Sequence, residues 1–114
     1  MAVSINELIN RYAEGTFTPR DAIEECLDAI DALDPTVGAW QAVYAEEART
    51  AADLATASLA DGGSKGPFHG VPFALKDIVD VKGKVTAAGC FEWKDRRSPA
   101  TASIAQRLLD AGGI

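Results

Sequence analysis

The densest chemical information in this chain lies in the run Gly66-Pro67-Phe68-His69-Gly70-Val71-Pro72-Phe73-Ala74-Leu75-Lys76-Asp77. Glycines and prolines there restrict the path of the backbone, an apolar stretch follows, and a lysine comes directly after it. Taking an ammonium out of water is costly. If the Lys76 amine points inward, desolvation favours its neutral form, and a neutral amine can act as a base. If it points outward, the aliphatic stem lies along apolar neighbours while the charged head stays in water, as lysines commonly do. The residue pattern leaves both readings open. Asp77 comes next, and on a strand successive side chains face opposite ways. It is therefore a poor partner for the amine and a better tie for the backbone N–H groups of a neighbouring loop.

Other reactive residue types offer less. His69 is the only histidine. It sits in a turn without a local catalytic partner, so a loop-ordering hydrogen bond is the expected role. Cys26 and Cys90 are too few and too far apart for a disulfide framework and read as buried free thiols. One histidine and two unclustered cysteines give no basis for a structural zinc site. Gly62-Gly63 and Gly112-Gly113 lack the spacing of a phosphate-binding loop, and Trp40 and Trp93 have no basic cluster beside them, so core or edge packing is their expected use.

These residues need elements to position them. A chain of 114 residues with 47% hydrophobic and 25% charged residues has the size and composition of one globular domain with a core, not of a disordered tract. The net charge of -6 repels phosphates, which argues against a nucleic-acid partner or an anionic membrane surface. No apolar run approaches the roughly 18 residues of a membrane span, and the start MAVSINELINRY lacks the pattern of a signal peptide, so a cytoplasmic location is expected.

Ser4 and Glu7 form an S-x-x-E capping box ahead of Ile5, Leu8, Ile9 and Tyr12, which predicts a helix over about 5 to 13. Thr18-Pro19 starts a second helix with a hydroxyl cap and a proline at the first position, and Asp34-Pro35 is expected to stop it. Residues 39 to 44 read as a strand or an extended connector. The alanine-rich stretch from Ala45 to Leu59 reads as a third helix, with acids near its start. The turn formers between Asp61 and Pro67 make a loop, and Val71 to Leu75 reads as a strand. Residues 78 to 97 show no clean period and are expected to be irregular with short strands. A last helix, capped by Ser98 or Thr101 and carrying Ile104, Ala105, Leu108 and Leu109, closes at Gly112-Gly113, and Ile114 is placed where a strand usually begins.

The block GPFHGVPFALKDIVDVKGKVTAAG, read without gaps from Gly66 to Gly89, resembles the first signature block of the amidase-signature family, G-P-L-H-G-I-P-hydrophobic-K-D followed by T-x-A-G. The flanks resemble it too, through two amphipathic helices before the block and the segment SPATASIAQRLLDAGGI after it. Asp80 and Gly83 resemble the family's loop after the signature strand and read as turn-makers. Cys90 stands where relatives often carry serine, and Thr101 where they often carry aspartate. The resemblance implies an α/β fold, with N-terminal helices followed by the first strands of a mixed central sheet flanked by helices. It implies that 1-114 is the N-terminal portion of a single domain, helical over 1-60, with the signature strand and loops over 66-97 and a helix over 99-111.

It further implies an amidohydrolase that cleaves a linear C–N amide bond through a Ser/cis-Ser/Lys triad. Lys76 takes the place of the triad base, and Thr86 and Gly89 lie in the T-x-A-G stretch near the active site. The family's two serines belong to a downstream glycine/serine-rich block. Ser4, Ser58, Ser64, Ser98 and Ser103 have no such setting, so the 114 residues alone are expected to be a fragment without activity. No metal or organic cofactor is implied. The implied partner is a small-molecule amide, with no direct nucleic-acid or membrane partner, and a homodimer is allowed for the intact protein. The alternatives are a truncated non-catalytic structural or interaction module, and an ammonia-releasing subunit of a tRNA-dependent amidotransferase.

Overall fold

A computed structural model describes residues 3–114; positions 1 and 2 of the expected helical region lie outside the described residues. Among the described residues four α-helices follow one another: α1 (Ile5–Ala13), α2 (Pro19–Val37), α3 (Ala45–Ala60) and α4 (Ser103–Asp110). Among the described residues, no helix is long and apolar enough to cross a membrane.

The Ser4 hydroxyl caps α1 by accepting from the Glu7 N–H at 3.2 Å. Glu7 does not close the box, because its carboxylate pairs with Arg11 one turn on, at 2.6 Å. Helix α2 carries the complete reciprocal cap: Thr18 Oγ1 accepts from the Asp21 N–H, and the Asp21 carboxylate accepts from the Thr18 N–H. The helix does not stop at Pro35. It runs on to Val37 and ends at Gly38 in the left-handed region (φ 62°), where the Gly38 N–H donates to the Asp34 carbonyl at 2.7 Å. Proline removes an N–H from the final turn, but that turn is exposed, so the freed carbonyl can bond to water. The Asp34 carboxylate then gathers the N–H groups of Ala39 and Trp40, which turns the chain without a strand in 39 to 44.

Helices α2 and α3 pack against each other through Ile23, Leu27 and the fully buried Ala52. An ion network clasps the same seam. Glu24 accepts from both Arg20 and Arg49, and Arg20 also reaches Asp53 on α3. The two guanidiniums hold the Glu24 carboxyl below its ordinary range, the Arg49 hydrogen bond contributing most. A second small core joins α1 and α2 to the signature segment: Leu8, Tyr12, Ala22 and Val71.

The expected strand from Val71 to Leu75 is not formed. The segment is extended and makes strand-like bonds to one short neighbour. The Ile114 N–H donates to the Val71 carbonyl at 2.9 Å and the Phe73 N–H to the Ile114 carbonyl at 2.8 Å, which sets Pro72 opposite Ile114 in parallel register. Phe68 and Gly70 likewise donate to Ala111 and Gly112. One paired residue is too few for a ladder, so the mixed sheet implied by the resemblance is absent among the described residues. The irregular segment 78 to 97 contains two isolated bridges, Lys82 with Ser98 and Val85 with Arg97, and a single 3-10 turn at Phe91–Trp93.

The last helix starts at Ser103 and ends at Asp110, which is shorter than the expected 99-111. Both expected caps are engaged elsewhere: Ser98 Oγ donates to the Ala100 carbonyl, and Thr101 Oγ1 accepts from the Lys82 N–H. Two further expectations are corrected. Cys26 is exposed, not buried, and Cys90 is partly exposed. Trp40 and Trp93 are also exposed, which removes the core half of their expected core or edge packing, and Trp93 packs at the surface under the Arg96 guanidinium at 5.8 Å.

Candidate active site

Lys76 sits where the extended segment turns a corner. Its carbonyl accepts from the N–H groups of both Ile78 (2.7 Å) and Val79 (3.0 Å), so the chain folds back on itself directly after the lysine. The Lys76 side chain is exposed, and among the described residues its ammonium pairs with no carboxylate.

Asp77 ties this corner to the next loop twice. Its Oδ1 accepts from the Ala87 N–H at 3.1 Å, and its carbonyl accepts from the Ala88 N–H at 2.8 Å. The carboxylate thus holds a loop, as its place after the lysine suggests. The held turn is tight. Ala88 (φ 53°) and Gly89 (φ 73°) both lie in the left-handed region, and the Cys90 N–H closes the turn onto the Ala87 carbonyl at 2.8 Å. Glycine enters that region freely, while alanine does so only against the crowding of its Cβ.

Thr86, just before the turn, is buried, and Asp80 anchors the other side of the loop. The Asp80 carboxylate takes a forked pair of bonds from Arg96, at 3.0 and 3.2 Å, and its carbonyl accepts from the Ala102 N–H. Arg96 first, with the Thr86 hydroxyl second, holds the Asp80 carboxyl below its ordinary value. Arg96 also donates to the Thr86 carbonyl, so one guanidinium braces both sides of the loop. The sequence marks Asp80 as a turn-maker and gives no sign of Arg96. The two are far apart along the chain and share no local pattern that would pair them.

His69 is brought elsewhere. Its Nδ1 accepts from the Lys65 N–H and its Nε2 lies 2.9 Å from the Ala55 carbonyl on α3. An accepting Nδ1 puts the proton on Nε2, which then donates to that carbonyl. Both ring nitrogens are engaged in holding the loop before the signature segment to α3. Of the serines, Ser4 and Ser98 are engaged in a helix cap and a turn, and Ser64 closes a turn onto Gly66. Two surface hollows, of about 390 Å³ along α3 and about 280 Å³ between α1, α2 and Val71-Pro72, are not lined by Lys76. Among the described residues, no group of three His, Cys, Asp or Glu side chains is placed to hold a metal ion.

The model of the Amidase family matches residues 21–114. Over 111 residues the chain is 36% identical to a glutamyl-tRNA(Gln) amidotransferase subunit of Halorhodospira halophila, covering 97% of this chain and 23% of that protein. An acylamidase of Rhodococcus erythropolis is 32% identical over 113 residues, covering 98% of this chain and 24% of that one. Among solved structures, a vestigial protein complex described as revealing the origins of an s-triazine catabolic enzyme superposes with a TM-score of 0.91. It does so at 33% identity, over 98% of this chain and 25% of the other. The chain therefore spans about a quarter of the length of the relatives it matches.

Proposed function

The chain belongs to the amidase-signature family, and on that premise we propose that the protein carrying it hydrolyses a linear C–N amide bond with Lys76 as the base of a Ser/cis-Ser/Lys triad. In this reading, neutral Lys76 takes a proton through a relay serine, and the relay serine activates a second serine to attack the amide carbonyl. An acyl-enzyme forms as ammonia or an amine leaves, and water then hydrolyses it. The nucleophile, the relay serine and the oxyanion donors come from outside these 114 residues. The reading takes a small-molecule amide as substrate, requires no metal or organic cofactor, and expects the enzyme in the cytoplasm.

The observation that carries the proposal is the position of Lys76 in a gap-free signature block, at a corner whose backbone is bonded on both sides. That corner leaves the amine free to meet a partner from a further part of the fold. Burial by that part would favour the neutral amine the mechanism requires. The test is amide hydrolysis by the intact protein and by its Lys76→Ala variant. Loss of kcat/KM by about 10³-fold or more is expected for removal of a triad base, whereas a variant as active as the parent ends the assignment. The 114-residue chain alone is expected to hydrolyse no faster than that variant, since without serines and oxyanion donors a lone base contributes little.

A second reading is favoured by relatives named as glutamyl-tRNA(Gln) amidotransferase subunits. The amide chemistry is then the same, but the released ammonia is passed to a tRNA-bound acceptor. Hydrolysis of simple aryl or alkyl amides by the purified protein, with no tRNA or second protein chain present, supports the free-standing amidase. Glutamine hydrolysis that appears only with those partners supports the amidotransferase reading.

A further inference from the structure

The geometry points to Asp77 as a positioning residue for the base, an inference that rests on the proposed role of Lys76. Three consecutive constraints meet at this corner. The Lys76 carbonyl is held by the N–H groups of Ile78 and Val79, the Asp77 carbonyl by Ala88, and the Asp77 carboxylate by Ala87. The last of these is the only one that a side chain supplies, and so the only one that a substitution can remove without touching the backbone. Its acceptor is half-buried, and the turn it secures contains Ala88 in the left-handed region, a conformation alanine leaves when nothing holds it. On the far side, Asp80 and Arg96 brace the same loop.

Losing the Asp77 carboxylate therefore leaves the Ala88 N–H as the only direct tie from this corner to the loop, and the Ala87 N–H loses its partner, while the Asp80–Arg96 side stays fixed. The turn at 87 to 90 is then held to the corner by one bond in place of two, and it can pivot about that bond, which loosens the reference between the turn and the Lys76 backbone. A base displaced by an ångström or less loses its alignment with the group whose proton it takes, which lowers turnover without changing how substrate is held. What Asp77 supplies is an acceptor at a fixed place, and its negative charge is not what the role requires. A neutral amide oxygen at the same position accepts the same N–H.

The experiment compares Asp77→Ala, Asp77→Asn and Lys76→Ala in the intact protein, reading kcat and KM separately across pH and normalising to folded protein by circular dichroism. The expected result is a fall in kcat of about 10- to 100-fold for Asp77→Ala with KM within about twofold. Asp77→Asn is expected to restore kcat to within about threefold of the parent with an unmoved pH profile, as rescue by the isosteric acceptor requires. The inference is overturned if Asp77→Ala keeps its kcat, if it changes KM instead, or if it fails to fold, since a positioning residue leaves the fold standing. It is also overturned if Asp77→Asn is as slow as Asp77→Ala with a shifted pH profile, because charge would then be what matters. If Lys76→Ala itself stays active, the triad reading fails, and that outcome is separate from a slow Lys76→Ala beside a fully active Asp77→Ala.

Discussion

Carboxylates do most of the positioning at the scale of single residues. Asp77 and Asp80 lie close together along the chain, yet each holds a different stretch of the loop that follows. The Asp80 carboxyl is held below its ordinary value of 3.8 by Arg96 and the Thr86 hydroxyl. A carboxyl lowered in the folded state stabilises the fold fully above its unfolded value, and that contribution is lost as pH falls through the folded value. Asp80→Asn should therefore have a lower urea midpoint than the parent at pH 7, and the two midpoints should converge as pH is taken from 5 to below 3.8. A gap that stays constant across that range would show that the ionised pair is not what holds the loop. The turn role of Asp77 is legible from its place after an extended run, because alternation turns it away from the lysine. Arg96 is not legible. A long-range ion pair leaves no periodic trace in a sequence, and only the folding of the loop brings the two charges together.

Local chemistry explains the helices well and the signature segment poorly at the scale of elements. The caps at Ser4 and at Thr18/Asp21 and the apolar spacing of Leu8 with Tyr12 are short-range features, and the first helix falls where they put it. Pro35 misleads because a proline in the last exposed turn costs one hydrogen bond that water can replace, which is too little to end a helix already sealed by Gly38. The run at 71 to 75 misleads for a different reason. Its pattern describes an extended chain buried on its faces, but a strand exists only where a neighbour supplies hydrogen bonds, and among the described residues Ile114 alone pairs with it in this way. Close approach rules the signature segment. A Cβ on Gly70 would stand 2.5 Å from the Pro19 ring, and Gly70 has a φ of 74°, so Gly70→Ala faces both a clash at the start of α2 and backbone strain. A loss of about 2–4 kcal/mol is expected, readable as a fall in the thermal midpoint of the intact protein. A change of less than about 0.5 kcal/mol would mean that α2 does not seat on this segment as described.

The chain encloses little of itself at the scale of the whole molecule. Its accessible surface is 7533 Å², against about 6,000 Å² for a compact monomer of its mass. Its radius of gyration of 15.0 Å exceeds the roughly 13 Å of a compact domain of this length. Large apolar side chains stand in water, among them Leu33, Val37, Leu54, Phe91 and Ile104. The purified 114-residue chain is accordingly expected to bind a hydrophobic dye and to associate with increasing concentration. A monomer that binds no dye across a hundredfold range of concentration would show that this surface needs no cover.

The order of residues by itself determined what acts over short distances: the starts of the first three helices, the turn formers, the signature block around Lys76 and the expectation that Asp77 serves a loop. The block is legible as a contiguous likeness to a family pattern, and the others depend on neighbours within about a helical turn or on residue type alone. Only the tertiary structure decided that Asp77 grips the turn carrying Ala88, that Arg96 braces Asp80, that His69 is committed to Ala55, and that Pro72 meets Ile114 in parallel register. Those pairings join residues far apart in the chain, and their partners are chosen by which segments can pack and satisfy buried backbone groups together.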